Sequence, residues 1–99
     1  MLELNKIYKA KQQISGFVNK TPFIYSSFLS DICQSEIYLK NENLQITGAY
    51  KIRGAYNKIA NLSAEQKQHG VIAASAGNHA QGVAISAKKF GIKDRKSVV

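Results

Sequence analysis

The spacing of hydrophobic residues in the first third of the chain predicts one helix followed by short segments. Apolar side chains recur with a helical period from Lys6 to Val18, and lysines fill the opposite face. A short extended run follows at 23–25. Ser26 or Ser27 can begin a short helix through Ile32, because serine caps helix N-termini well.

The remainder of the chain alternates strand and helix patterns. Residues 36–40 alternate between polar and apolar, which predicts a strand, and 41–49 form a loop. A helix begins at Tyr50 or Lys51 and ends at Asn61, and Ser63 and Gln66 then have capping-box spacing. Residues 71–74 are continuously apolar, which predicts a fully buried strand, and a helix of small residues covers 79–90. The positions predicted to face the core are Ile52, Ala55, Tyr56 and Ile59 in the first long helix and Ala80, Val83, Ala84, Ala87 and Phe90 in the second.

This order of elements predicts an α/β fold with a partial open parallel sheet and flanking helices. After Gly91 such a unit normally enters its next strand as an apolar run. Here the charged stretch 93–96 precedes Val98 and Val99, and no strand is recognisable. We therefore expect 1–93 to be the N-terminal portion of a larger domain and 94–99 to be an atypical tail, produced by truncation or a frameshift.

Composition and charge narrow the classes of function. The chain of 99 residues is 44% hydrophobic, which is typical of a globular protein. It has no apolar run near the roughly 20 residues that span a bilayer, and no secretory signal pattern. The net charge is +8, but the basic residues are spread along the chain without a nucleic-acid-binding signature. We interpret most of the excess as a solvated basic face and expect no nucleic-acid or membrane partner.

The single cysteine, Cys33, allows no internal disulfide, which fits a reducing cytoplasm. Its position between Ile32 and Gln34 predicts a small buried hydrophobic residue.

Lys51 stands out among the fourteen basic residues because of its neighbours. Tyr50 precedes it, Gly48 and Gly54 bracket it, and a predicted helix begins at it. Burial at the start of a packed helix disfavours the charged form of lysine. A neutral lysine is a nucleophile that forms a Schiff base with an aldehyde. The alternative is a solvated residue in the first turn of the helix.

A second candidate is the turn from Ser75 to Gly82, which follows the predicted buried strand and begins a helix. Backbone N–H groups and the helix dipole make such an edge of a sheet a frequent anion site. Ser75 and Asn78 add side-chain hydrogen bonds, Gly77 lets a ligand approach the backbone, and Gly82 allows tight helix packing. The alternative is an ordinary strand-to-helix turn with Ser75 as its N-cap.

Other chemistries fit the sequence less well. Ser75 and His79 lack an orienting carboxylate and the first glycine of a nucleophile elbow. His69, His79 and Cys33 do not have the spacing of metal ligands, so we expect no bound metal.

Together the two motifs resemble the N-terminal region of the pyridoxal-phosphate enzymes with the tryptophan-synthase β-subunit fold. Within them the chain looks most like the threonine dehydratases (threonine ammonia-lyases). The resemblance covers about residues 7–92 and includes the Thr21-Pro22 step and the stretch 39–45. It implies a cytoplasmic lyase with pyridoxal 5'-phosphate as cofactor, homo-oligomeric at full length. The implied reaction eliminates water from L-threonine and then releases 2-oxobutanoate and ammonia, with L-serine as a secondary substrate.

The resemblance also assigns roles to residues. Lys51 would carry the cofactor as a Schiff base and move the α-proton of the substrate. Tyr50 would pack beside the cofactor ring, where the family usually has Phe, and Asn78 would hydrogen-bond the ring hydroxyl oxygen. The substrate carboxylate would be held, mostly by backbone N–H groups, at Ser75, Gly77, Asn78 and His79.

Two positions depart from the family pattern. Ala49 stands where a small hydroxyl residue is usual, which removes one hydrogen bond near the site. Ala76 stands where the related serine racemases carry a serine that transfers a second proton. Because alanine cannot transfer a proton, elimination is favoured over racemisation.

The family's glycine-rich phosphate loop, and its residue that contacts the pyridine nitrogen, lie beyond residue 99. We therefore expect the isolated chain to be inactive. Two alternatives stay open: a non-catalytic remnant that binds a partner chain, and a basic domain associated with nucleic acid.

Overall fold

The computed structural model describes residues 1–97, which form five α-helices and two small sheets. In chain order the elements are α1 (Leu4–Ile14), β1 (Phe23–Tyr25), α2 (Ser27–Cys33), β2 (Tyr38–Lys40), a 3-10 turn (Glu42–Leu44), α3 (Lys51–Ala60), α4 (Ala64–His69), β3 (Val71–Ala74), α5 (Asn78–Lys89) and β4 (Asp94–Ser97). This order agrees with the predicted α/β class. No helix in this part of the chain combines the length and apolar character needed to cross a bilayer.

Local sequence signals set the ends of the helices. The Ser26 hydroxyl caps α2 by accepting a hydrogen bond of 3.2 Å from the backbone N–H of Leu29. α4 begins with the predicted capping box of Ser63 and Gln66, in which each side chain accepts a bond from the other's backbone. α1 ends at Ile14, before the predicted end at Val18, because the chain turns out of the helix there.

The core lies between α3, α5 and the sheet of β3. Its buried apolar residues are Ala55, Ile59, Ala73, Ala80, Val83, Ala87 and Ile92. Beside them Ile52 is fully buried, and the Tyr56 ring stacks on Phe17 at 4.2 Å between centroids. The predicted inward positions are therefore confirmed in both helices, with one exception. Ala84 is exposed, because α3 and β3 cover only one side of α5.

The sheet of β3 and β4 corrects two expectations. β4 pairs in parallel with β3, with Val71 opposite Asp94, although the sequence predicted no strand after Gly91. A strand at the edge of a sheet needs backbone pairing rather than an apolar run, and charged residues are common there. β3 is also not fully buried, since Ala73 faces the core whereas Ile72 is 75% exposed. Val98 and Val99 of the expected tail lie outside the described residues.

β1 and β2 form a separate antiparallel pair rather than part of one parallel sheet. Phe23 lies opposite Lys40 and Tyr25 opposite Tyr38. The two strands run in opposite directions and are connected by α2. Both strands are exposed along their length. Cys33, which was predicted to be buried, is exposed at the end of α2.

Gly70 joins α4 to β3 in a conformation that also depends on β4. Its φ is +83°, and a Cβ atom there would lie 2.7 Å from the carbonyl oxygen of Lys93. The same oxygen accepts a hydrogen bond of 2.9 Å from the N–H of Val71.

We expect Gly70→Ala to lower the free energy of unfolding by about 3 kcal/mol, from backbone strain and the steric clash together. Urea unfolding of the 99-residue chain measures this loss. Gly16→Ala is the control, because Gly16 also has a positive φ but no atom within 4 Å of its added Cβ. Equal losses for the two variants would contradict the contact with Lys93.

Candidate functional site

Lys51 begins α3, as predicted, and Tyr50 precedes it as the N-cap residue. The Nζ atom lies 5.5 Å from the centre of the Tyr50 ring, which is within cation–π distance. The next residue, Ile52, is fully buried, whereas Lys51 is exposed. Lys51 is therefore not buried, and it is a solvent-exposed residue in the first turn of α3. The amino group is accessible to a small molecule.

The turn between β3 and α5 is shaped by Ser75 but not capped by it. The Ser75 hydroxyl accepts a hydrogen bond of 3.2 Å from the N–H of Gly77. Gly77 is the N-cap residue of α5, and no side chain caps this helix. The alternative in which Ser75 is the N-cap is therefore wrong. The first N–H groups of α5 lack acceptors within the helix and lie at the positive end of its dipole, so they can bind an anion.

Gly82 brings the two motifs together. A Cβ atom on Gly82 would lie 3.2 Å from both the backbone N and the Cα of Ile52, the residue that follows Lys51. α3 and α5 thus cross with their backbones in contact, which confirms the tight packing predicted for this glycine. Asn78 lies one turn away, about 6 Å along the axis of α5. The first turn of α3 and the second turn of α5 are therefore in contact at this crossing.

His79 lies against a different part of α3. It borders a cavity of about 260 Å³ together with Gly54, Lys58 and Ile72. Lys51 does not line this cavity. His79 can therefore contribute to the turn through its backbone N–H, although the residue borders the cavity at the middle of α3.

An ion pair that sequence reasoning missed holds the loop before Lys51. Arg53 donates two parallel hydrogen bonds of 2.8 Å to Glu42, from Nε to Oε2 and from Nη2 to Oε1. It is the one salt bridge found among residues 1–97. The Thr21 hydroxyl donates a further bond to the carboxylate of Glu42. The sequence contains one signal that could have indicated this pair. Acidic residues are rare, since Glu42 is one of only six Asp and Glu residues in a chain of net charge +8.

Gln45 ties the same loop to the segment after α1. Its side chain is buried, and its Oε1 accepts a bond of 2.8 Å from the N–H of Asn19. Its Nε2 donates a bond of 2.9 Å to the carbonyl oxygen of Asn19, so the amide pairs with backbone as a neighbouring strand does. Lys40 Nζ donates to the carbonyl oxygen of Thr21 at 2.7 Å. These contacts fix the position of the loop, and with it the position of Lys51 at the loop's end.

The hydrogen bonds from Arg53 are the largest cause that lowers the pKa of Glu42, from 4.5 to about 2. Because the folded-state pKa is the lower one, the pair stabilises the fold above about pH 4.5 and loses this contribution as the pH falls toward 2.

We expect Glu42→Gln to lower the free energy of unfolding at pH 7 by about 2 kcal/mol, the value of a charge-assisted, partly buried pair. Urea unfolding between pH 7 and pH 2.5 measures this, and the variant should lose less stability than the wild type across that range. Glu36→Gln, at an exposed carboxylate, is the control and should follow the wild-type curve. Parallel curves for the wild type and Glu42→Gln would contradict the assignment.

Comparison with known proteins places the chain among characterised relatives. Residues 14–95 match the family described as pyridoxal-phosphate dependent enzymes. The chain is 58% identical over 92 residues to an L-threonine ammonia-lyase of Thermotoga maritima. It is 54% identical over 93 residues to a catabolic L-threonine dehydratase of Staphylococcus aureus. Each alignment covers 93% of this chain but only 23% and 27% of the two relatives, so the chain spans about a quarter of their length.

Solved structures agree with these relatives. A serine racemase from Dictyostelium discoideum superposes with a TM-score of 0.91 at 36% identity, over 98% of this chain and 32% of that one. Maize serine racemase gives 0.88 at 36% identity, over 97% and 30% of the two chains. The processed form of threonine deaminase isoform 2 from Solanum lycopersicum superposes with a TM-score of 0.78 at 32% identity, over 98% of this chain and 28% of that one.

Proposed function

Because the chain belongs to the family of pyridoxal-phosphate dependent enzymes, we propose that it forms the N-terminal part of an L-threonine ammonia-lyase. The predicted family and the tryptophan-synthase β-subunit-like fold class are confirmed. The proposed reaction eliminates water from L-threonine, and the product is then hydrolysed to 2-oxobutanoate and ammonia, with L-serine as a secondary substrate. The observation that carries the proposal is 58% identity to an L-threonine ammonia-lyase across the whole α3–α5 crossing.

The residues present fit the cofactor. Lys51 offers an exposed amine at the start of a helix, and the Tyr50 ring lies beside it. Asn78 stands in the first turn of α5 with an exposed side-chain amide, and a Cβ on Gly77 would meet no atom within 4 Å. There is thus open space beside the turn for a planar ring. When bound, pyridoxal phosphate supplies an electron sink for negative charge at the substrate α-carbon.

The protein would supply position and proton transfer. Lys51 would hold the cofactor in the absence of substrate, and its Nζ, free once the substrate amine has taken its place, would accept the α-proton of the substrate. The turn of Ser75, Gly77, Asn78 and His79 would bind the substrate carboxylate, mostly through backbone N–H groups, because a helix N-terminus favours an anion. The N–H of Gly77 donates to the Ser75 hydroxyl in this structure and would exchange that acceptor for the carboxylate. A fixed carboxylate in turn fixes which bond of the α-carbon faces the cofactor ring. Ala76 carries no group that could return a proton from the opposite side, which favours elimination over the racemisation named for the two solved racemases.

The whole reaction depends on more polypeptide than the described residues provide. Phe23, Phe28 and Ile72 each expose more than two thirds of their surface. Large exposed apolar patches mark interaction surfaces, and parallel sheets normally have both faces covered. We propose that residues 1–93 are one portion of a catalytic domain, whose remainder packs on these surfaces and anchors the cofactor phosphate. A cytoplasmic location and a homo-oligomeric whole enzyme are part of the same proposal, since the family resemblance implies both.

The first prediction concerns where the cofactor attaches. The 99-residue chain is incubated with pyridoxal phosphate, reduced with borohydride and analysed by peptide mass spectrometry. We expect modification of Lys51 to exceed that of Lys58, on the same helix, by about tenfold, because the Tyr50 ring, which would pack beside the cofactor ring, lies next to Lys51.

Lys51→Ala should abolish the selective modification, whereas Lys58→Ala should leave it unchanged. Equal modification of all lysines would overturn the proposed role of Lys51. Salt-sensitive DNA retention in the same preparation would then favour the nucleic-acid alternative.

The second prediction concerns catalysis. We expect the chain alone to form no 2-oxobutanoate from L-threonine. Activity should appear when it is mixed with the Thermotoga maritima relative lacking the part that aligns with this chain. Lys51→Ala should lower that activity by about a thousandfold, the range for a group that transfers a proton in the reaction.

Lys58→Ala is the matched control and should keep the activity. Turnover by the chain alone would contradict the need for a complementary part. Binding to the complement without any turnover would favour the non-catalytic remnant.

A further inference from the structure

Gly82 occupies a position where helix formation alone would favour alanine. It is a buried residue inside α5, and glycine in a helix interior costs about 1 kcal/mol relative to alanine. The chain has a second interior helical glycine, Gly54 in α3. A Cβ on Gly54 would meet no atom within 4 Å, whereas one on Gly82 would lie 3.2 Å from two backbone atoms of Ile52. The contact at Gly82 therefore explains its glycine, and no such contact exists at Gly54.

The atoms that Gly82 faces cannot rotate away. They are the backbone N and Cα of Ile52, and a third neighbour, the Cβ of Ala55, lies at 3.3 Å. An added methyl group would require the two helices to separate by a few tenths of an ångström. Protein interiors transmit such a displacement, because they are close-packed. The first turn of α3, which carries Lys51, would have to move relative to α5.

The first turn of α3 is also restrained from another direction. Arg53, one residue beyond Ile52, is held by its two hydrogen bonds to Glu42 in the preceding loop. The same loop is tied to Asn19 through Gln45. α3 therefore cannot follow α5 freely when the contact at Gly82 changes. The distance between Lys51 and the turn before α5 would therefore change.

We propose that Gly82 is a positioning residue for Lys51. Its lack of a side chain sets the distance between the Lys51 amine and the first turn of α5, where Asn78 lies. The inference rests on the proposed function, because this distance matters only if one molecule must contact both groups. Arg53 supports the same geometry, because its two hydrogen bonds to Glu42 restrain the first turn of α3 from the side of the preceding loop. Neither residue touches the reacting atoms.

The test compares Gly82→Ala with Gly54→Ala in the 99-residue chain. Both variants exchange an interior helical glycine for alanine, so both gain helix propensity, but only one adds a backbone clash. The readout is the ratio of Lys51 to Lys58 modification by pyridoxal phosphate after borohydride reduction. We expect Gly82→Ala to lower this ratio about tenfold, the order of loss for a small misplacement of a reacting group. Gly54→Ala should keep the wild-type ratio. Urea unfolding, followed by circular dichroism, establishes that each variant is folded in the assay.

A second variant tests the same geometry without altering α5. Arg53→Lys keeps the positive charge but cannot form two parallel bonds to Glu42, so the first turn of α3 loses a restraint. We expect the modification ratio to fall about threefold. This variant decides the matter if Gly82→Ala does not fold.

The outcomes separate the two proposals. A selective wild type together with unchanged ratios in the folded variants would overturn the positioning role and leave the proposed function standing. A wild-type ratio near one would overturn the proposed function, and this inference with it. A fall for Gly54→Ala equal to that for Gly82→Ala would also overturn the inference, because the contact with Ile52 would then not be the cause.

Discussion

The backbone contact between α3 and α5 at Gly82 and Ile52 is the constraint on which the rest of the structure depends. Because the two helices approach without an intervening side chain, small residues such as Ala55, Ala80 and Ala87 can fill the core between them. β3 then packs on the same helices through Ala73. Close packing of this kind makes the position of each element depend on its neighbours. The site is thus built on two helices whose backbones are in contact.

A small number of charged and polar side chains also hold the region around the start of α3. In a chain of net charge +8, the salt bridge observed within residues 1–97 lies in the loop that leads to Lys51. Bidentate pairing fixes the orientation of Arg53 as well as its distance from Glu42, which a lysine could not do. The side-chain amide of Gln45, a buried residue, pairs with both the backbone N–H and the backbone carbonyl oxygen of Asn19. Polar groups therefore order a loop that has no apolar core of its own.

Local signals in the sequence were sufficient for most helices and for the two motifs. The caps at Ser26 and Ser63 act within three residues, so they can be identified without the fold. The apolar faces of α3 and α5 follow from their period, and only Ala84 departs from it. The predicted family is confirmed by the match of residues 14–95 to its model.

What the sequence could not provide depends on contacts between distant residues. β4 is held by backbone pairing with β3. Its sequence is charged, so the hydropathy pattern gives no sign of a strand. The exposure of Ile72 and Cys33 depends on which elements cover them, which no local pattern records. The partnership of Glu42 with Arg53 required the loop and α3 to be seen together. The roles of Tyr50, Lys51, Ser75, Gly77, Asn78 and His79 stay predictions, because the structure supplies their places and not their chemistry.

The helix crossing at Gly82 also has a consequence for the order of events during synthesis. Ile52 and Gly82 are thirty positions apart, a distance that a ribosome covers in roughly 2 to 6 s. The contacts of Glu42 and Gln45 close over shorter or similar separations of 11 and 26 residues. All of them are made by residues that precede β4 in the chain. The loop before Lys51 and the crossing of α3 with α5 can therefore form without β4, which can pair with β3 afterwards.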